Sequence, residues 1–294
     1  MLDEQFQTSI AMWDDADHSD IREGGLWYAG DVRDYEPLSC MPAPGVAAAA
    51  SFTSIAVDVP RYTMFLLRRI RRNARARVVR KRLPTDAGLI GTVQCAHWVA
   101  RDTWRAQSQD VVVDAVVNAT GLGAARMVGD GKMYPVRGQT VLVRGEANAI
   151  RTRHGIDVET GQSCISYVIP RKGSGTTVLG GCNEPGRSER EPEQGTTAAI
   201  LRRCRELCPE LLIGGDTSGD SSDLFQIVQV QVGLRPARKG GSRVEREIVD
   251  IDRLSLTIVH AYGHGGAGFQ NSVGVANRVI ALLTDAAMPQ PAKI

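Results

Sequence analysis

Tyr62, Phe65, Leu66 and Ile70 follow Pro60 at the three-and-four spacing of a single helix face, so residues 60–73 predict an amphipathic helix. Proline opens it and Asn73 closes it, while Arg68, Arg69, Arg71 and Arg72 fill the remaining arc. Residues 76–80, ARVVR, then read as a short strand. The mostly apolar run DVVVDAVV (110–117), halted at Asn118-Ala119-Thr120-Gly121, predicts a parallel strand buried on both faces of an α/β sheet. The middle of the chain changes grammar. QTVLVRG, SYVIP, TTVLGG and LFQIVQVQVGLRP are short strands separated by turns, with one helix near 196–208 that carries Ala199, Ile200, Cys204, Leu207 and Cys208 on one face. Strand after strand with few helices predicts an antiparallel sheet and therefore a second lobe. LTIVHA (256–261) then runs into YGHGGAGFQNS and a helix expected to turn Val273, Ala276, Val279, Ile280 and Leu283 inward, so the first lobe resumes at the C-terminus. The fold class expected is α/β, or α+β over the whole chain.

Composition leaves that picture intact. With 43% apolar and 23% charged residues over 294 positions, the chain has the makeup of a globular protein long enough for two lobes. No apolar run approaches the ~20 residues of a spanning helix, so membrane insertion is not expected. Residues 1–20 are polar and acidic, unlike a secretory signal. The net charge of +2 hides a cluster, because residues 68–82 hold nine positive charges and leave the remainder acidic. Basic runs can bind nucleic acid or acidic membranes. Here the arginines mostly sit on the polar arc of a helix with an apolar face, and a solvated surface accounts for them without a nucleic-acid partner. Cys40, Cys95, Cys164, Cys182, Cys204 and Cys208 follow no disulfide or zinc framework. Cys204 and Cys208 are four apart but lack a His or a second Cys pair to complete four ligands, so no metal is expected and reduced intracellular thiols are.

Candidate chemistry gathers at strand ends. Gly263-His264-Gly265-Gly266-Ala267-Gly268 joins a strand to a helix, where glycines let backbone N–H groups approach a ligand and the helix start favours negative charge. Thr120-Gly121 also ends a strand, and ligands of open α/β sheets bind beyond such ends. A tight turn without a ligand explains the loop equally well. Arg235, in VGLRPAR, can grip a carboxylate through two parallel hydrogen bonds or close a salt bridge between lobes. Tyr167, in SYVIP, reads as a half-buried core tyrosine on pattern alone. His264 lacks a carboxylate or nucleophile at suggestive spacing. There is no G-x-S-x-G, H-E-x-x-H or P-loop motif.

Taken in order, VVNATGLGA (116–124), YPVRGQTVLV (134–143), SYVIPR (166–171), TVLGG (177–181), VGLRPARKGGSRVE (232–245) and VHAYGHGGAGFQNSVG (259–274) resemble FAD-dependent D-amino-acid oxidases, fungal members most of all. SFTSIAVDVPRYTMFLL (51–67) resembles the segment entering the family's helix, and the likeness covers roughly residues 50–285. The resemblance implies an FAD-binding lobe interrupted by a substrate lobe with a large antiparallel sheet. It divides the chain into 1–54 (substrate-lobe or leader segment), 55–132 (FAD lobe, first part), 133–244 (substrate lobe) and 245–294 (FAD lobe, second part, with the C-terminal tail). It implies oxidation of a D-amino acid to an imino acid by hydride transfer to FAD, reduction of O2 to hydrogen peroxide, and hydrolysis to keto acid and ammonia. Position by position, Arg235 matches the arginine that binds the substrate carboxylate, Tyr167 a tyrosine supporting it, and Gln270 a glutamine near the amine. Cofactor contacts implied are Leu83, Thr120, Gly121 and the loop Gly265, Gly266, Ala267, Gly268, Phe269 and Gln270. Two donors on one carboxylate would aim the Cα–H bond, so catalysis would rest on positioning.

The chain also departs from the family pattern. Asn183 stands where many members carry a second active-site aromatic, and Ser163 where mammalian members carry a tyrosine, so substrate preference is not transferable. Nothing in residues 1–50 resembles the opening strand and G-x-G-x-x-G that cradle the FAD pyrophosphate, so an N-terminally incomplete FAD lobe is expected. Two expectations follow: an oxidase whose sequence is truncated, or a non-catalytic relic or binding module that does not hold FAD. Ala292-Lys293-Ile294 is close to the S-K-L type, which implies a peroxisomal import receptor as partner and a peroxisomal location, the cytoplasm being the alternative. A homodimer is the other partner state considered.

Overall fold

The computed structural model describes residues 6–14, 26–107, 109, 111–157, 159–215, 224–251 and 254–284. The tripeptide Ala292-Lys293-Ile294 lies outside them. In chain order the elements are β1 (Phe6–Trp13), β2 (Arg33–Pro37), β3 (Ala48–Ile55), α1 (Val59–Arg72), α2 (Gly88–Arg105), β4 (Ala115–Asn118), α3 (Ala124–Met127) and β5 (Met133–Arg144). There follow β6 (Ile150–Ile156), β7 (Ser163–Arg171), β8 (Thr176–Gly180), β9 (Glu184–Pro185), α4 (Gln194–Arg205), β10 (Ile227–Arg238), β11 (Arg243–Ile251), β12 (Leu254–Tyr262) and α5 (Ser272–Leu283). The chain divides into two compact units, one of Met1–Arg68, Arg137–Glu184 and Glu189–Gly233, the other of Arg69–Val136, Pro185–Ser188 and Leu234–Ile294. Strands β5 and β10 each run from one unit into the other.

The first unit is built on the nine-stranded sheet, ordered β10-β5-β8-β7-β6-β1-β3-β2 with β9 paired to β5. Its pairings β1–β3, β2–β3, β6–β7, β7–β8 and β5–β8 are antiparallel, and β1–β6 is parallel, so the sheet is mixed. Small residues let β1 and β3 close tightly, with Ala48, Ala49 and Ala50 opposite Trp13, Met12 and Ala11. Alternation along the strands sends Val141, Val143, Val168 and Leu179 to one face, where Ile200, Leu201 and Cys204 of α4 cover them. Burial pushes the Cys204 thiol up to about 12, so it packs as a small apolar group.

Among the described residues, Arg137 is the fully buried charge of this unit. The Arg137 side chain has no exposed surface; it meets Glu184 at 2.8 Å and donates to the carbonyls of Glu189 (3.0 Å) and Glu191 (2.8 Å) and to Gln139 Oε1 (2.9 Å). Gln139 in turn donates to the Glu193 carbonyl at 2.9 Å and to Thr197 at 2.8 Å. Each of the three guanidinium nitrogens thus finds an acceptor, as burial of the charge requires.

The second unit holds the three-stranded sheet β11-β12-β4, antiparallel between β11 and β12 and parallel between β12 and β4. Leu256 and Ile258 of β12 pack with Val93 of α2, Met127 of α3 and the half-buried Val116, Val249 and Ile251. The parallel strand expected at 110–117 is thus present, but only Ala115–Asn118 pairs, and it is not buried on both faces, because Val112 and Val117 are exposed.

Three local expectations are corrected. Residues 76–80 form no strand; Val78 and Val79 are exposed, and Arg77 turns back on the carbonyls of Ala74 and Ala76 and on Gln107, which satisfies the segment locally without a ladder. Helix α5 forms as expected and lies against β11 and β12, yet Val273 is 67% and Ile280 57% exposed, and no residue of α5 is buried. Helix α1 likewise buries nothing, and Phe65, Leu66 and Ile70 are exposed. Periodicity reports what a helix face is made of, not whether another element lies on it. No helix among the described residues is long and apolar enough to cross a membrane.

Removing one partner of a buried, hydrogen-bonded ion pair strands the other. Arg137→Leu should therefore lower stability by about 3–5 kcal/mol, read as a fall in the urea midpoint; a midpoint within error of the parent would refute the role given to Arg137.

Candidate functional site

In the second unit, strand ends and turns converge on one short stretch of β10. A Cβ placed on Gly121 would lie 3.7 Å from Pro236, and one on Gly266 would lie 3.7 Å from Cδ of Arg235. Ala237 pairs with His264 as an antiparallel bridge. The Arg235–Ala237 segment therefore meets both the Thr120–Gly121 turn and the His264–Gly266 loop. Two glycines there are conformational necessities, since Gly121 (φ 58°) and Gly265 (φ 57°) sit in the left-handed region. Arg235 is half-buried. Both ring nitrogens of His264 are buried without a hydrogen-bond partner among the described residues, and burial lowers its pKa, so the imidazole is neutral.

A chain of polar side chains holds these turns. Asn118, at the end of β4, accepts from the Thr120 N–H (3.2 Å) and hydroxyl (2.8 Å). Its amide nitrogen lies 3.1 Å from Nδ1 of His260, whose Nε2 lies 2.9 Å from Glu247. Arg243 donates to Glu247 (3.1 Å) and to the Tyr262 hydroxyl (3.1 Å), and Tyr262 donates to Asp130 (3.0 Å). Asp130 also accepts from Nε of Arg238 at 2.8 Å. On this sheet face Leu256 and Ile258 are apolar, and His260 and Tyr262 are polar, so the face changes character toward the ends where the turns begin. Arg238, beside Asp130, holds that carboxyl down to about 2. Burial pushes the Tyr262 hydroxyl up, so it stays a donor.

Tyr167 belongs to the first unit. On β7 it is paired with Gly180 of β8, and its ring lies over Gly180 and Gly181: a Cβ at Gly181 would come within 2.7 Å of the ring. Helix α4 fixes that glycine pair from behind. Arg203 donates to the Gly181 carbonyl at 2.8 Å and is itself held by Asp157 at 2.7 Å, while the Cys204 thiol reaches the Gly180 carbonyl at 3.5 Å.

Of the residues expected at the site, Thr120, Gly121, Arg235, Gly265 and Gly266 are brought together. Ala267 donates to the His264 carbonyl at 3.1 Å and so closes the loop, with Gly268 next in chain. Phe269 and Gln270 are exposed ahead of α5, and Leu83 is half-buried in the segment leading into the Thr85–Ala87 turn; none of the three joins these contacts. Asn183 and Ser163 are exposed. Sequence reasoning missed Asn118, His260, Glu247, Arg243, Tyr262 and Asp130. A usable signal was present, because Asn118 and His260 are polar residues inside apolar strands and must find partners there.

The family model described as FAD dependent oxidoreductase matches residues 3–282. A D-amino-acid oxidase of Fusarium vanettenii is 31% identical over 255 residues, covering 86% of this chain and 63% of that protein. A D-aspartate oxidase of Cryptococcus neoformans var. grubii is 34% identical over 281 residues, covering 85% and 67%. The chain thus spans about two thirds of the length of these relatives. Among solved structures, glycine oxidase from Geobacillus kaustophilus superposes with a TM-score of 0.64 at 18% identity, covering 97% of this chain and 73% of that one. L-proline dehydrogenase from P. horikoshii gives 0.62 at 15%, covering 97% and 75%. At these identities the structures share the fold.

Two outcomes test this geometry. Gly181→Ala must displace the Tyr167 ring and should cost about 1–3 kcal/mol, with a changed near-ultraviolet circular dichroism spectrum; an unaltered spectrum would show that the ring is not packed there. Asp130 has a folded pKa below its unfolded value, so its contribution is full above about pH 4 and is lost as pH falls toward about 2. Asp130→Asn should flatten that part of the stability–pH curve, measured by urea unfolding between pH 2 and 5.

Proposed function

Because this chain belongs to the FAD dependent oxidoreductase family, whose cofactor is FAD, we propose that it acts as a D-amino-acid oxidase. The reaction would convert a D-amino acid to its imino acid, which water hydrolyses to keto acid and ammonia. The single observation that carries the reading is Arg235 set beside Gly266, with the Thr120–Gly121 turn against the adjoining Pro236. A guanidinium at that point can bind a carboxylate in two parallel hydrogen bonds.

The residues present fit a flavin at this loop. Glycines at 265, 266 and 268 leave the backbone bare, so its N–H groups can approach a polar ligand edge. Thr120, Gly121, Leu83 and residues 265–270 would hold the cofactor. Bound FAD supplies the hydride acceptor, and O2 takes the electrons on as hydrogen peroxide. Arg235 would bind and orient the substrate carboxylate, and Gln270 would lie near the substrate amine. None of these side chains moves a proton in the reading, so rate enhancement rests on fixing the Cα–H direction. The D-aspartate oxidase relative makes acidic D-amino acids worth including among substrates.

Absorbance in the flavin region after FAD addition to the purified chain, followed by peroxide release with a panel of D-amino acids, tests the proposal. No bound flavin would favour the non-catalytic binding module instead. In an active preparation, Arg235→Ala should raise KM steeply and reduce kcat/KM by at least about 100-fold, the loss of a charge-assisted pair; an unchanged ratio would remove Arg235 from the site.

A further inference from the structure

We propose that His260 is a positioning residue for the Thr120–Gly121 turn, acting through Asn118 as a neutral imidazole protonated on Nε2. The link to catalysis rests on the reading of Thr120–Gly121 as a cofactor contact; the geometry does not.

Hydrogen-bond polarity fixes the arrangement. Thr120 offers Asn118 two donors, its N–H at 3.2 Å and its hydroxyl at 2.8 Å, both on Oδ1. An amide oxygen accepts and an amide nitrogen cannot, so Nδ2 of Asn118 faces Nδ1 of His260 at 3.1 Å. Since Nδ2 only donates, Nδ1 must be bare, and the ring proton sits on Nε2, directed at Glu247 2.9 Å away. Register supports this, for Asn118 and His260 are paired across β4 and β12.

A second proton on His260 would break the set. Nδ1–H would oppose the Asn118 amide, and rotating that amide would put its NH2 against the Thr120 N–H. The groups around the ring pull in opposite senses. Glu247 in contact, and Glu245 opposite in register, favour the imidazolium. Against it stand complete burial and Arg243, which shares the Glu247 carboxylate at 3.1 Å. Asn118 on β4 is uncharged, and Tyr262 presents its ring edge-on at 5.8 Å. Burial is the largest influence and moves the pKa down, so the neutral ring persists through neutral pH. The unfolded chain takes up its proton near the ordinary value, so His260 draws down global stability as pH falls below about 6.5, while the turn itself loosens only at the lower pH where the folded ring is protonated.

The full chain without flavin provides the test. Long-range 15N–1H spectra should show His260 with a protonated Nε2 and a bare Nδ1 at pH 7. Finding the proton on Nδ1 would overturn the proposal even if no variant folds. His260→Asn returns an acceptor at the Nδ1 position, whereas His260→Gln keeps a donor toward Glu247 and withdraws the acceptor. Hydrogen exchange of the Thr120 amide should quicken about tenfold in His260→Gln, the loss of one buried hydrogen bond, and much less in His260→Asn. Equal protection in the two variants would mean that His260 is only core filling. FAD titration of the same proteins should show weaker binding in His260→Gln than in His260→Asn. If the unmutated chain binds no FAD, the proposed function falls, and the tautomer and exchange results still decide the role of His260.

Discussion

Asp130 collects donors from three parts of the second unit: Arg238 at the end of β10, Tyr262 at the end of β12, and the N–H of Lys132 ahead of β5. A carboxylate with little exposed surface needs that many donors to stay ionised, and with them it ties the three segments to one point. Arg235 lies three residues before Arg238, and the glycine loop starts immediately after Tyr262. Gly263 is pressed so close to Arg238 that a Cβ there would lie 2.8 Å from the arginine's own, and its φ of 85° excludes other residues at little cost. The course of the loop past Arg235 thus depends on a carboxylate that contacts neither.

From Tyr262 the same network continues through Arg243, Glu247 and His260 to Asn118 and Thr120. It replaces apolar packing just where the sheet gives way to turns. Apolar contact is non-directional and tolerates small shifts, whereas a hydrogen-bonded chain specifies angle as well as distance. A site that works by orienting its substrate gains from the second kind of support. The first unit uses a similar device around Tyr167, where Asp157 and Arg203 hold the Gly181 carbonyl and the glycine pair leaves room for the ring.

The exposed apolar residues of α5, and of β4 at Val117, lie outside the network itself. The polar chain satisfies its own members without them, so it does not need those faces covered.

The sequence by itself determined the family, the parallel strand ending at Asn118, helices α1, α4 and α5, strand β12, and the identities of Arg235, Thr120, Gly121 and the glycine loop. These are written locally, in periodicity and in ordered motifs. It did not determine that residues 76–80 stay out of the sheet, because strand pairing needs a partner that no window of five residues contains. Nor did it reveal the exposure of α5, which depends on what lies across from the helix. The route from Asp130 to Thr120 joins residues up to 142 positions apart in a single hydrogen bond. Only the register of β4, β11 and β12 brings Asn118, Glu247 and His260 within reach of one another, and only tertiary burial makes their pairing obligatory.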